Sequence, residues 1–155
     1  MRKLFLLFVS MSLIVITAGA QDFNDNKNAI GIRAGWGVEA SYQRYMAPSS
    51  RIEATVGLNR YGFDVAGTYQ WLFDINTNAS GQFKWYAGAG LGTGSWSNKH
   101  YDKGFSIGIL GQAGIEYAFN SVPLLLSLDY RPGIYFAPET HFDWTGFAIG
   151  IKYSF

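Results

Sequence analysis

The chain has 155 residues, with 12 lysines and arginines against 11 aspartates and glutamates, so it is close to neutral and has no electrostatic basis for binding nucleic acid. It contains no cysteine, which excludes disulfides, thiolate chemistry and a lipoprotein anchor. Charged residues are only 15% and aromatics 17%, with 19 glycines; soluble domains carry roughly 25% charged residues, and the mixture suits a surface that faces lipid.

Residues 1–20 read as a secretory signal peptide. Arg2 and Lys3 form the basic start, Leu4 to Thr17 is apolar apart from Ser10 and Ser12, and Ala18-Gly19-Ala20 supplies the small residues that a signal peptidase accepts. The apolar run is short for a retained transmembrane helix, and no basic stop signal follows it. The mature chain then begins at Gln21, with a polar lead-in over 21–27 and a single domain over 28–155.

From Ala29 onward the apolar residues repeat with period two, the period of a strand. Turn signals divide the domain into eight expected strands, at 28–35, 37–45, 51–59, 61–73, 82–94, 104–119, 124–136 and 145–155. In the fourth, Tyr61, Phe63, Val65, Tyr69, Trp71 and Phe73 share a face with Gly67. In the sixth, Phe105, Ile107, Ile109, Ile115, Tyr117 and Phe119 do the same. The last strand alternates most regularly: Phe147, Ile149, Ile151, Tyr153 and Phe155 oppose Gly146, Ala148, Gly150, Lys152 and Ser154. The expected fold is all-β, an eight-stranded antiparallel up-and-down transmembrane barrel. An even strand count puts both termini at one end. That end would carry the turns Met46–Ser50, Asp74–Gly81 and Asn120–Pro123. The other would carry Gly35–Gly37, Asn59–Gly62, Ser95–Lys103 and Ala137–Trp144.

Alternation alone does not choose between lipid outside and water outside. A soluble barrel would turn its apolar face inward and show charge on the other. Here the less apolar face is mostly Gly, Ala, Ser, Thr and Gln, which suits the crowded interior of a narrow barrel. The aromatics also cluster near both strand ends. Phe63 and Trp71 are separated by ~26 Å of strand, which covers ~20 Å of depth at a tilt of ~40°, close to the apolar band between aromatic girdles in outer-membrane barrels.

The segment Gly146-Phe147-Ala148-Ile149-Gly150-Ile151-Lys152-Tyr153-Ser154-Phe155, with the eight-strand rhythm before it, resembles the small outer-membrane barrels of the OmpA transmembrane domain and OmpX group. Within that group the chain is most similar to the short, uncharacterised barrels of Bacteroidota. The resemblance covers nearly all of 21–155. It implies an integral protein of the bacterial outer membrane with both termini periplasmic, in contact with membrane lipid and lipopolysaccharide. It further implies that Tyr153 and Phe155 form the signal read by the barrel-assembly machinery. The family has no shared catalytic residues to carry over. A monomer is expected.

The inward positions hold Arg33, Glu39, Glu53, Asp64, Lys84, Glu116, Asp129, Arg131 and Lys152. Unpaired buried charge is very costly, so these are expected to pair into a polar network. Such a network could gate a narrow pore or plug it, and the little room inside eight strands favours the plug. Gly104-Phe105-Ser106-Ile107-Gly108 fits G-x-S-x-G, but a hydrolase needs that serine on a strand–turn–helix elbow; here it falls inside an alternating strand, with His141 and Asp143 downstream in an expected loop. Gly88, Gly90, Gly92 and Gly94 all point inward and are expected to make room for bulky neighbours such as Tyr86. His100 and His141 are lone loop histidines, so no metal site is expected. Asn78-Ala79-Ser80 fits a glycosylation sequon, and Trp96, Tyr101, Phe142 and Trp144 fit an aromatic rim. No cofactor and no catalytic set are expected. The expected role is structural or surface interaction, with a small solute channel and a lipid-modifying enzyme as the alternatives.

Overall fold

The computed structural model describes residues 26–59, 62–77, 80–98, 101–136 and 140–155. The expected signal peptide and most of the lead-in lie outside the described residues, as does most of the Asn78-Ala79-Ser80 sequon. Ten strand segments follow in order: β1 (Asn28–Ala34), β2 (Gly37–Ala47), β3 (Ser50–Asn59), β4 (Gly62–Ile75), β5 (Gly81–Asn98), β6 (Tyr101–Phe119), β7 (Leu124–Tyr130), β8 (Gly133–Tyr135), β9 (His141–Asp143) and β10 (Phe147–Ser154). No helix occurs among the described residues. Each segment pairs antiparallel with its neighbours, and β10 returns to β1 through pairs such as Ile32 with Ile151, so the sheet closes. Closure leaves no free edge around the wall.

Ten segments make eight wall strands. Pro132 has no N–H to donate, which interrupts the expected strand 124–136 at Arg131-Pro132. Its carbonyl still accepts from Gly111 N at 2.9 Å, and β7 and β8 meet β6 in one register, with Tyr130 opposite Ala113 and Gly133 opposite Leu110. On the other side, Tyr130 pairs with Phe147 and Gly133 with Asp143. Three steps along one strand therefore face four along the other. The extra residue is a β-bulge at Trp144–Gly146, and β9 and β10 are two parts of one strand.

Two of the expected loops are shorter than their composition indicated. The β5–β6 ladder continues to Asn98 opposite Tyr101, so most of the expected loop Ser95–Lys103 is hairpin. His141–Asp143, expected in a loop, pairs with β8. Both stretches are polar and lack clean alternation, yet backbone hydrogen bonds do not require either.

The pairing fixes the tilt. A circuit from Phe73 passes through Trp85, Ile115, Leu128, Ile149, Ala34, Val38 and Leu58 and returns to β4 at Phe63, ten residues from its start. With ~3.3 Å per residue and ~4.8 Å between strands, that stagger over eight strands gives a tilt of about 41°. Side chains alternate in and out along every wall strand. Ile32, Val38, Val56, Leu58, Leu91, Ile107, Leu128 and Ile149 are exposed, whereas Arg33, Arg51, Glu53, Glu116, Asp129 and Lys152 are buried.

Candidate functional site

Arg51 occupies the end of the interior nearer the termini, fully buried on β3. Its Nη1 lies 2.8 Å from both carboxylate oxygens of Glu116, and its Nε donates to Gln70 Oε1 at 2.6 Å. Its guanidinium also covers the ring of Tyr86, 4.7 Å from the centroid. Gln70 Nε2 donates in turn to Glu53 Oε2 at 2.6 Å. Glu53 is the hub: it accepts from Ser41 Oγ at 2.6 Å and Gln112 Nε2 at 3.2 Å, and Lys152 Nζ stands 3.2 Å away.

The chain of contacts continues toward the opposite end. Gln112 Nε2 lies 3.3 Å from Asp129 Oδ1, and Tyr86 OH donates to Asp129 Oδ2 at 3.1 Å. Arg33 forks between Asp129 and Glu39. Arg131 Nη2 reaches Glu39 at 2.7 Å, its Nη1 donates to Thr55 Oγ1 at 3.0 Å, and Asp64 lies 4.0 Å beyond. These residues form one connected network of four cations and five carboxylates. Bidentate and charge-assisted geometry of this kind offsets the desolvation of buried charge. Among the described residues, Gln43 and Arg51 Nη2 retain buried polar atoms without a protein partner, positions suited to ordered water.

Eight of the nine residues expected inside belong to this network: Arg33, Glu39, Glu53, Asp64, Glu116, Asp129, Arg131 and Lys152. Lys84 does not. It keeps its inward register position but sits at the rim, where its Nζ stands 3.6 Å from the exposed Asp74. Arg51 takes the fourth cationic place. Its signal was present in the sequence, two residues before Glu53 on the same strand, but Arg51 stood at an expected strand start, where depth was undetermined. The uncharged members Ser41, Gln70, Tyr86 and Gln112 share the inward parity without charge to mark them.

Above Arg33 and Arg131 the interior opens into a cavity of about 400 Å³ at the end opposite the termini, lined by Arg33, Glu39, Asp64, Arg131, Tyr135 and Asp143 among others. Gly35, Gly37, Gly94 and Gly146 also line it; a Cβ added to Gly35, Gly94 or Gly146 would meet the backbone carbonyl of Phe147, Phe63 or Arg131, so these three allow close approach of neighbouring backbone at the cavity wall. The glycine run on β5 acts differently from expectation. A Cβ on Gly92 would meet the Leu110 side chain, whereas one on Gly88 or Gly90 would first meet the backbone carbonyl of Tyr69 or Gly67. The glycine against the Tyr86 ring is Gly114, on β6, where an added Cβ would lie 2.8 Å from Tyr86 Cζ.

Ser106 is buried within β6, and its Oγ donates to the Gly94 carbonyl at 3.2 Å. It stands in a continuous strand and not on an elbow. His141 stacks on Tyr135 with centroids 5.4 Å apart, and Asp143 Oδ1 accepts from Thr145 N and Oγ1 at 2.8 and 2.5 Å. Phe142 packs on Trp144 with centroids 4.0 Å apart; the side chains of Trp96 and Tyr101, and His100, lie outside the description. At the other end, Phe155 N donates to Asn28 O at 2.8 Å and Asn28 N to Phe155 O at 3.1 Å, while Tyr153 pairs with Ile30 and Leu124. Tyr153 and Phe155 thus lie on the closing seam.

No known family model matches the chain, no curated protein is recognisably similar to it, and no solved structure matches its fold.

Proposed function

We propose that the chain is an integral outer-membrane β-barrel protein with both termini periplasmic, acting in a structural or surface-interaction role around a largely closed polar interior. One observation carries the reading. Burial is inverted relative to a water-soluble protein: arginine, lysine, glutamate and aspartate fill the inside while isoleucine, leucine, valine and aromatics cover the outside. Exposed apolar patches of such extent mark a surface that meets lipid or protein. A closed barrel also satisfies all wall backbone groups, which a lipid environment demands. The aromatics supply the two girdles: Phe63, Phe105 and Phe147 near one end, and Tyr69, Trp71, Trp85 and Tyr117 near the other. On this reading the seam strand with Tyr153 and Phe155 is the segment handed to the assembly machinery, and membrane lipid and lipopolysaccharide surround the monomer.

Gel migration of detergent-extracted membranes tests the proposal. Unboiled protein is expected to run as a compact band that shifts on boiling, and to stay with the membrane fraction after a high-salt wash. A water-soluble protein without the shift would overturn it.

A further inference from the structure

Among the strand residues whose side chains are described, Arg44 is the one charged side chain on the outward face of the wall. It is exposed, and it makes no hydrogen bond or ion pair with any described residue. We propose that Arg44 anchors the phosphate of a glycerophospholipid bound against the outside of β2–β4 at the end that carries the termini. The inference rests on the membrane reading above.

Depth is the first argument. Arg44 lies three residues before the end of β2 at Ala47. At the wall tilt that is ~10 Å of strand and ~7 Å of depth, within the reach of an extended arginine that keeps its stem in apolar surroundings and its head at the boundary. Its rung reads Asn28, Arg44, Ile52 and Tyr69 across four strands. Tyr42 OH donates to Asn28 Oδ1 at 2.8 Å beside it, and Tyr69 meets Trp71 edge-on at 5.1 Å. Such amphipathic rings settle at headgroup level.

Charge is the second. No side chain described on the outer face is a carboxylate, so none of them answers Arg44 there. A guanidinium fork matches phosphate oxygens in paired hydrogen bonds. Shape is consistent with the same occupant. The next rung toward the middle of the barrel reads Tyr42, Ala54 and Gly67, and a Cβ added to Gly67 would meet nothing within 4 Å. The shallow depression beyond Arg44, between Tyr42 and Tyr69, leaves room for an acyl chain.

The test compares the wild type with Arg44→Gln and Arg44→Lys, each purified in non-ionic detergent without phosphate. Phosphatidylglycerol, a glucosyl diacylglycerol lacking phosphate, or inorganic phosphate is added, and retained lipid is read by native mass spectrometry. The wild type is expected to hold phosphatidylglycerol at about tenfold lower lipid concentration than Arg44→Gln, the loss of one charge-assisted contact. Arg44→Lys should retain most of the effect. The phosphate-free glycolipid should bind all three alike, and inorganic phosphate should not displace the phospholipid. Equal phosphatidylglycerol retention by wild type and Arg44→Gln would overturn the anchor. Displacement by inorganic phosphate would overturn the lipid assignment. The boiling shift is run on the same samples: its presence with equal retention sinks this inference alone, and its absence in the wild type sinks the membrane reading with it.

Discussion

Glu53 takes contacts from Ser41, Gln70, Gln112 and Lys152, drawn from four other strands. Removing it leaves the buried Lys152 ammonium with only Ser127 Oγ, 3.4 Å away, and takes an acceptor from two amides. Glu53→Ala is therefore expected to lower the unfolding free energy by about 3–5 kcal/mol in a denaturant titration of the detergent-solubilised protein. Lys84→Ala breaks only the rim pair with the exposed Asp74, and should change it by less than about 1 kcal/mol. Equal effects would mean that the two sites share one environment. Parity was enough to read Glu53 as internal, but depth separates it from Lys84. Depth depends on where each turn falls, which the sequence leaves open for Arg51 at its strand start. Which residues touch across the interior was less legible still. Arg33 and Asp129 are 96 positions apart, and only the closed register brings them together.

Period two was legible along each strand because inward and outward positions carry side chains of different polarity. The breaks were not. Pro132 was visible, but a proline in a wall strand is compatible with a strand end, a bulge or a simple missing bond. The bulge at Trp144–Gly146 resolves it by letting the two halves of the strand keep their inward and outward faces. The β5–β6 hairpin was hidden by its polar composition. Beyond Gly94, the last β5 residue with a β4 partner, β5 is paired on β6 alone among the described residues. Hydrogen exchange should record this: the amides of Ser95–Asn98 are expected to exchange at least tenfold faster than those of Trp85–Thr93, which lie between two partners. Uniform protection along β5 would indicate an additional partner for the protruding segment.

The whole molecule divides into a filled half and an open half. Toward the termini, Arg51, Tyr86, Gln70, Gln112 and Lys152 occupy the interior; toward the other end, the cavity opens above Arg33 and Arg131. The filled half leads to an expectation of no stable unit conductance in planar-bilayer recordings at moderate voltage. Discrete open steps would favour the solute-channel alternative and require the Arg51–Glu116 and Arg33–Asp129 pairs to part. That the wall would close on eight strands, with a polar inside, was readable from alternation and turn spacing. That the inside would be solid at one end and hollow at the other was not, since the difference is set by side chains from strands distant in sequence meeting at one level.

The ten-residue return from Phe73 to Phe63 bears on how such a chain can change over evolutionary time. A one-residue insertion inside a wall strand would move every following side chain to the opposite face, and in a closed ring the error would travel to the seam with no edge to absorb it. Two-residue changes preserve facing but alter the stagger, and with it the tilt and girth of the wall. Length variation should therefore collect between the strands, as at Gly35–Trp36, Pro48–Ser49 and Asn120–Pro123. A bulge such as Trp144–Gly146 offers the other outlet: it takes in a single extra residue and leaves the orientation of everything after it intact.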